Sequence, residues 1–400
     1  MTTGRDELPA DYLGYELPDS LKMLRQLSRD FNQNEIIPLE RDLDYDAYHV
    51  PEEVGRDLQR KAKEAGLWNM SVPKEWGGEG MDIFTMTVVD EERVKHRNGL
   101  YGAGYGAYGG GPPAILYRHA TQDQVERFVL PSLAGERRGF FAITEPGGGS
   151  DPARAIATHA TRDGDDWVIN GSKMFISGSL EADYGLVFCR TDTEAGRGGI
   201  SCMIVEKGMP GYTVEPIAVI RPDYPGMLSF QDVRVPGRNV VGEIGHAWDM
   251  LANQLLATSR IPYSAANLGV AVAAHEMAVA YSKQRVTFGE PLSNRQAIQW
   301  MLVDSEIEIR SARWLVWDAA WKVNRGESFR TESSMAKLVS SEVLGRVVDR
   351  SIQIHGGIGL TRDLPLERWY REARIRRIGE GPSEIQRILI ARNIINPTYS

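Results

Sequence analysis

The sequence predicts an α+β protein in three parts: an N-terminal α-helical domain, a middle β-sandwich or barrel, and a C-terminal four-helix bundle. Three observations carry this. Apolar residues recur at helical spacing in the first third, as at Leu21, Leu24, Leu27 and Phe31. From Gly139 the texture changes to short β-type runs broken by turns. After Gly245 long helical patterns return with short connections. The expected divisions are a flexible lead at 1–19, a helical domain at 20–138, a β domain at 139–243 and a helical domain at 244–400.

In the first domain helices are expected over 20–37, 51–65, 83–97 and 121–130. An Asp-Ser pair opens the first, and Pro38 should end or bend it. Gly66 closes the second. The stretch YGAGYGAYGGG at 101–111 reads as close helix packing with aromatic fill, or as the lining of a pocket. In the middle domain strands are expected at 140–144, 167–169, 173–176, 185–190, 201–205 and 228–233. Asn170-Gly171, between two of these, is the strongest short-range hairpin signal in the chain. The last domain should hold helices at 246–259, 261–283, 294–325, 331–355 and 383–395. Ser383 followed by Gln386 reads as a capping box, with Pro382 just outside the helix. Glu380, between two glycines, then falls in the loop before that helix. Arg368, Arg371, Arg374, Arg376 and Arg377 have helical spacing and read as a solvated or ion-paired face.

Composition narrows the function. At 42% hydrophobic and 25% charged, 400 residues can bury a large core. A net charge of −8 speaks against nucleic acid and anionic membranes as general partners. Cys189 and Cys202 make no disulfide framework and point to a reducing compartment. The N-terminus has no apolar signal core, so a cytoplasmic location is expected. Seven scattered histidines and no Cys/His cluster predict no metal site. The most apolar stretch, 261–280, is interrupted by Asn267, His275 and Glu276, so no membrane insertion is expected.

Four motifs carry chemistry. They are FFAITEPGGGSD (140–151), NGSKMFIS (170–177), RVTFGEPLSNRQ (285–296) and QIHGGIG (353–359), the last followed 27 residues after Gln353 by Glu380. Each alone has a plain structural reading. A triple glycine is usually a loop, and Phe175 a core residue. Arg285 reads as a solvated cation at a helix end, and Glu380 as an acid favoured near a helix N-terminus. In this order and spacing they resemble the acyl-CoA dehydrogenases, flavoenzymes that desaturate acyl thioesters, over roughly residues 20 to 396.

The resemblance implies an FAD site made by Phe141, Ile143, Thr144, Ser150, Phe175, Ser177, Arg285, Phe288, Gln296, Gln353, Gly357, Pro382 and Glu384. Arg285 would clamp the pyrophosphate, as suits a guanidinium fork. Glu380 would be the base that takes the α-proton, while hydride leaves the β-carbon for the flavin. Ser150, Arg260 and Gly381 would meet the substrate, an acyl-CoA or acyl-carrier thioester. A carboxylate becomes a stronger base when a bound acyl chain displaces water from it. Arg285, Phe288, Gln296, Gln353 and Gly357 would act across a subunit boundary, which implies a homo-oligomer, expected to be a tetramer. The implied electron acceptor is an electron-transferring flavoprotein. Three residues depart from the family pattern. Pro382 replaces a common Thr, and Ala257 stands where some members have Asp. Gly379 replaces a bulky residue before the base, which would widen the cavity for a branched, cyclic or long acyl group. Competing readings on the same fold are a flavin monooxygenase or oxidase, an enoyl-thioester reductase, and a non-catalytic flavoprotein that binds a partner.

Overall fold

The computed structural model describes residues 17–109, 111–250 and 256–396, so most of the expected lead lies outside the described residues. The three-part α–β–α architecture is the one expected. The first helices are Asp19–Phe31, Glu52–Glu64 and Ile83–Arg93. Pro38 does not end the first. The chain widens into a π-helical turn at Asn32–Ile36 and resumes as Ile37–Asp42, with Pro38 in the new first turn. The wider turn accommodates a residue that has no N–H to give. The third helix stops at Arg93 rather than 97. Beyond it the N–H groups of Arg97 and Asn98 bond the buried carboxylate of Glu40, each at 2.9 Å. Tyr105 and Tyr108 of the glycine-rich stretch are core residues.

The strands of the middle domain are β1 Gly139–Ala142, β2 His159–Asp163, β3 Asp166–Ile176, β4 Tyr184–Arg190, β5 Ile200–Glu206, β6 Tyr212–Pro216, β7 Gly226–Pro236 and β8 Val240–Val241. They form one sheet in the order β6-β7-β3-β2-β4-β5-β8, with β1 parallel to β4. The sheet folds around Phe140, Ile169, Val187, Met203 and Leu228. Its other face, with Leu186, Phe188 and Ile204, packs on Phe128, Val129 and Leu133 of the N-terminal helices. Asn170-Gly171 is not a hairpin turn. It lies inside the continuous strand β3, where the register with β7 slips. Gly171 takes φ +141, and a Cβ there would lie 2.6 Å from Thr158. The dipeptide therefore marks a bulge with close backbone approach. The actual turn joins β2 to β3, where Asp163 pairs Asp166.

The last domain holds helices Leu256–Gln284, Gln296–Arg325, Arg330–His355, Leu366–Arg376 and Ser383–Ile395. The expected helix at 246–259 shows as Ala247–Met250, with 251–255 outside the described residues. The helix that follows runs unbroken through Pro262. It lies parallel to Arg330–His355. Asn267 bonds Ser340 at 3.1 Å, Ser351 bonds the Ala274 carbonyl at 3.0 Å, and Tyr281 stacks on His355 at 4.4 Å. Of the two readings of the arginine run, the ion-paired one holds: Arg368, Arg371 and Arg377 pair with Glu372, Glu367 and Glu342, while Arg374 is exposed. Arg368 and Arg376 are buried, because positions 368, 372 and 376 share the inner face of their helix. Arg368 bonds Glu372 at 3.1 Å and Asn98 at 2.8 Å, tying this helix to the first domain. Among the described residues no helix is long and apolar enough to cross a membrane. None of their His, Cys, Asp and Glu side chains form a group that could hold a metal ion.

Candidate active site

Glu380 sits on a loop whose main chain is pinned from three sides. Gln386 donates Nε2 to the carbonyls of Glu380 and Gly381, each at 3.0 Å. Lys337 donates Nζ to Gly381 O at 2.8 Å and to Arg377 O at 3.3 Å. Arg260 donates Nε to Glu380 O at 3.3 Å. These bonds hold Glu380 at φ +56, a conformation an L-residue adopts only when its surroundings enforce it. The expected capping box does not form. Pro382 takes the N-cap position, so Ser383 begins the helix and donates instead to Glu342 Oε1 at 2.8 Å. On the carboxylate itself, Ser259 Oγ donates to Oε2 at 2.9 Å.

Electrostatics around the loop are cationic. Burial holds the Arg260 guanidinium below its ordinary value, with Glu380 opposing. Burial, then the charges of Arg376 and Arg260, bring the Lys337 ammonium down to about 8. Beside Gly379, expected to widen the cavity, stands the phenol of Tyr263. A Cβ at that position would lie 2.9 Å from the hydroxyl of Tyr263, so the space is already taken. The side chain of Ala257 lies outside the described residues.

Two phenylalanines share the strained geometry of Glu380. Phe175 has φ +59 and Phe288 φ +51; with Glu380 they are three of the six non-glycine residues recorded at positive φ. Phe175 occupies the second register slip of β3, between Lys173 and Ile176, which turns its ring outward to 53% exposure. Phe288 and Gly289 form the two-residue turn between β9 (Val286–Thr287) and β10 (Glu290–Pro291). Both are left-handed, at +51 and +81, as a type I′ hairpin requires, and Phe288 is 97% exposed at its tip. Ser150 and Ser177 are exposed, and Thr144 is half-buried. The Thr144 carbonyl accepts from Met174 N at 2.8 Å, which sets it beside β3.

Phe141 and Ile143 are placed differently from the rest. Strand alternation turns both toward the N-terminal helices, where Ile143 is buried and Phe141 packs on the same cluster. Their side chains are core, which leaves chiefly main-chain atoms to face a ligand. Glu145, absent from the sequence reading, anchors the glycine loop. It accepts from Ala157 N at 2.7 Å, Thr158 N at 3.0 Å and Lys173 Nζ at 2.8 Å. Burial pushes its carboxyl up, but Lys173 and these N–H groups outweigh burial and hold it low.

Arg285, Gln296, Gln353 and Gly357 are all exposed. The Tyr281–His355 stack brings the Arg285 turn and the Gln353–Gly357 turn to one end of the bundle. Glu380 lies at the other end, against Ser259 and Arg260. The helix rise of 1.5 Å over the 25 positions from Arg260 to Arg285 separates the two ends by about 38 Å. Pro382 caps its helix, and Glu384 is exposed in the first turn. Ser259, Lys337 and Gln386 are the site residues that sequence reasoning missed. Ser259 carried one faint signal, its place next to Arg260.

Exposed rings to stack, hydroxyls for a polar ring edge and an exposed guanidinium for a pyrophosphate fit a flavin dinucleotide. The fixed Glu380 carboxylate, at the other end of the bundle from Arg285, adds a group able to accept a proton. Models of the acyl-CoA dehydrogenase N-terminal, middle and C-terminal domains match residues 18–136, 140–233 and 248–395. The chain is 37% identical over 389 residues to the mitochondrial short-chain specific acyl-CoA dehydrogenase of Bos taurus, covering 96% of this chain and 92% of that one. It is 35% identical to a 3-(aryl)acrylate reductase of Clostridium sporogenes, covering 94% and 98%. The solved structure of butyryl-CoA dehydrogenase from Megasphaera elsdenii superposes with a TM-score of 0.82 at 31% identity, covering 96% and 100%. The protein belongs to the acyl-CoA dehydrogenase family, FAD-dependent oxidoreductases acting on CH–CH donors.

Proposed function

We propose that this enzyme desaturates an acyl-CoA thioester between Cα and Cβ, with Glu380 taking the α-proton. The observation that carries the reading is the base itself: a carboxylate held at φ +56 by Gln386, Lys337 and Arg260, with Ser259 orienting one oxygen. Such fixed placement is what proton transfer from carbon needs. The backbone N–H of Glu380 is the donor we assign to the thioester oxygen, where negative charge grows as the proton leaves. Arg260 and Lys337 add positive charge behind that loop. FAD, when bound, supplies the hydride acceptor. Thr144, Ser150, Phe175 and Ser177 would hold it from one chain. Arg285, Phe288, Gln296, Gln353 and Gly357 would hold it from a second copy.

The 38 Å separation supports an oligomeric site, and we assign a homotetramer. An electron-transferring flavoprotein is the acceptor the family resemblance implies. The buried free thiols of Cys189 and Cys202 support a reducing, cytoplasmic setting. A second reading, enoyl-thioester reduction, is favoured by the likeness to a 3-(aryl)acrylate reductase. It uses the same geometry in reverse, with Glu380 returning the proton.

The test is an anaerobic titration of the purified flavoprotein with an acyl-CoA panel, following the flavin absorption band. Bleaching by one thioester is expected. Glu380→Gln should keep FAD and slow bleaching by roughly a thousandfold or more. Unchanged bleaching in that variant would remove Glu380 from the mechanism. If the flavin is instead reoxidised rapidly by an enoyl-CoA and resists every saturated one, the reductase direction holds.

A further inference from the structure

We propose that Tyr263 is the specificity-determining wall of the acyl site and confines the substrate to short, unbranched acyl groups. The proposal rests on the reading of Glu380 as the base. A side chain at position 379 would flank the acyl carbons that lie beside Glu380. Position 379 is glycine, yet it is not among the glycines at positive φ. Space rather than backbone conformation therefore demands it. The atom that claims the space is Tyr263 Oη, 2.9 Å from where the Cβ would stand, with Cζ at 3.8 Å. Tyr263 follows Arg260 by three positions on one helix, so it shares the face that touches the base loop.

The phenol has little freedom to retreat. Its hydroxyl donates to the Arg376 carbonyl at 3.3 Å. The Arg376 guanidinium lies over the ring, 3.2 Å from its centroid. That guanidinium is itself fixed by Asn267 at 2.7 Å, the Tyr263 carbonyl at 2.7 Å and the Leu100 carbonyl at 3.2 Å. Behind it stands Tyr101, which carries the buried Arg221 over its own ring at 3.6 Å. Rings and guanidiniums thus alternate into a wall that couples the first domain, the middle domain and the bundle. Burial pushes the Tyr263 hydroxyl far up, so it faces the substrate as a neutral group. A short straight chain ends before this wall. A branch beside the reacting carbons, or a longer chain, would have to displace a ring held by its hydroxyl and by the Arg376 guanidinium over one face.

Two measurements test this. The first needs no activity. Gly379→Ala should lower the thermal midpoint by several degrees, because its methyl meets Oη. Adding Tyr263→Phe should restore most of the loss, since the atom at 2.9 Å is gone and the next lies at ordinary contact distance. Equal midpoints for wild type and Gly379→Ala would overturn the contact. The second compares flavin bleaching by butyryl-, isobutyryl- and octanoyl-CoA. Wild type should favour butyryl-CoA in kcat/KM, Tyr263→Phe should keep that order, and Tyr263→Ala should shift the octanoyl-to-butyryl ratio by roughly tenfold or more. A ratio unmoved in Tyr263→Ala, with Glu380-dependent bleaching intact, would sink the wall and spare the base. Bleaching by no acyl-CoA would overturn both.

Discussion

Lys337 is a buried ammonium beneath the Glu380 loop, and the molecule keeps it there against its own solvation. Its ordinary value is 10.5; burial and the neighbouring Arg376 and Arg260 bring it to about 8. Between those two values the unfolded chain binds a proton that the folded chain does not. Stability therefore rises with pH through this window, and below about pH 8 the full burden of the buried charge weighs on the fold. Lys337→Met loses the bonds to Gly381 and Arg377 at every pH, which is a constant offset. Its distinguishing effect is on slope. Urea unfolding at pH 7.5 and 10 should show wild type gaining up to roughly 3 kcal/mol over the variant between the two. Parallel pH dependence in both proteins would mean that Lys337 titrates outside this range.

The glycine loop shows the same economy at the level of an element. Thr144 and Ser150 project from a loop with no regular structure of its own, and the pair Glu145–Lys173 ties it to β3. Lys173 is fully buried, and its ammonium also bonds the Ile143 carbonyl at 3.0 Å. Lys173→Met should leave a buried carboxylate with main-chain N–H partners alone, destabilising the protein by about 3–5 kcal/mol and loosening its hold on FAD. Denaturant unfolding and flavin retention on gel filtration would check both, and Glu145→Gln with Lys173→Met should recover part of the stability. This anchor was invisible in the sequence for a physical reason that recurs elsewhere. The long helices of the bundle were legible because periodicity is local. Phe175, Phe288 and Glu380 could be singled out because their motifs are contiguous. What the sequence hid was conformation and long-range contact. Nothing in a one-dimensional string marks the positive φ shared by those three residues. Ser259 meets Glu380 across 121 positions. The short strands β2, β6 and β8 are too brief or too polar to stand out, and Asn170-Gly171 has the local chemistry of a turn but is held as a bulge by β7.

At the scale of the whole molecule, the proposed cofactor site turns on the distance between the two ends of the bundle. Arg285 and Phe288 stand at one end of the Leu256–Gln284 helix, and Glu380 is braced against the other. On the proposed reading a single chain presents half of two sites rather than one complete site. The helix Gln296–Arg325 also displays Trp300, Val303 and Ile307 to solvent, at the three- and four-residue spacing of a helical stripe. We propose this apolar stripe, on a chain of net charge −8, as a surface for a second copy, since a two-fold contact would bring the same patch together from both sides. Docking two copies in opposite directions would bring the Arg285 end of each toward the Glu380 end of the other. Assembly and cofactor binding then become one equilibrium. Ile307→Glu should split the oligomer and release flavin in the same step. Sedimentation velocity followed at both the protein and the flavin absorption bands reads the two together. The expected result is a slower species without colour, in proportion to the fraction dissociated. A monomer that sediments with full flavin would show that each chain completes its own site, and the two-chain arrangement would have to be abandoned.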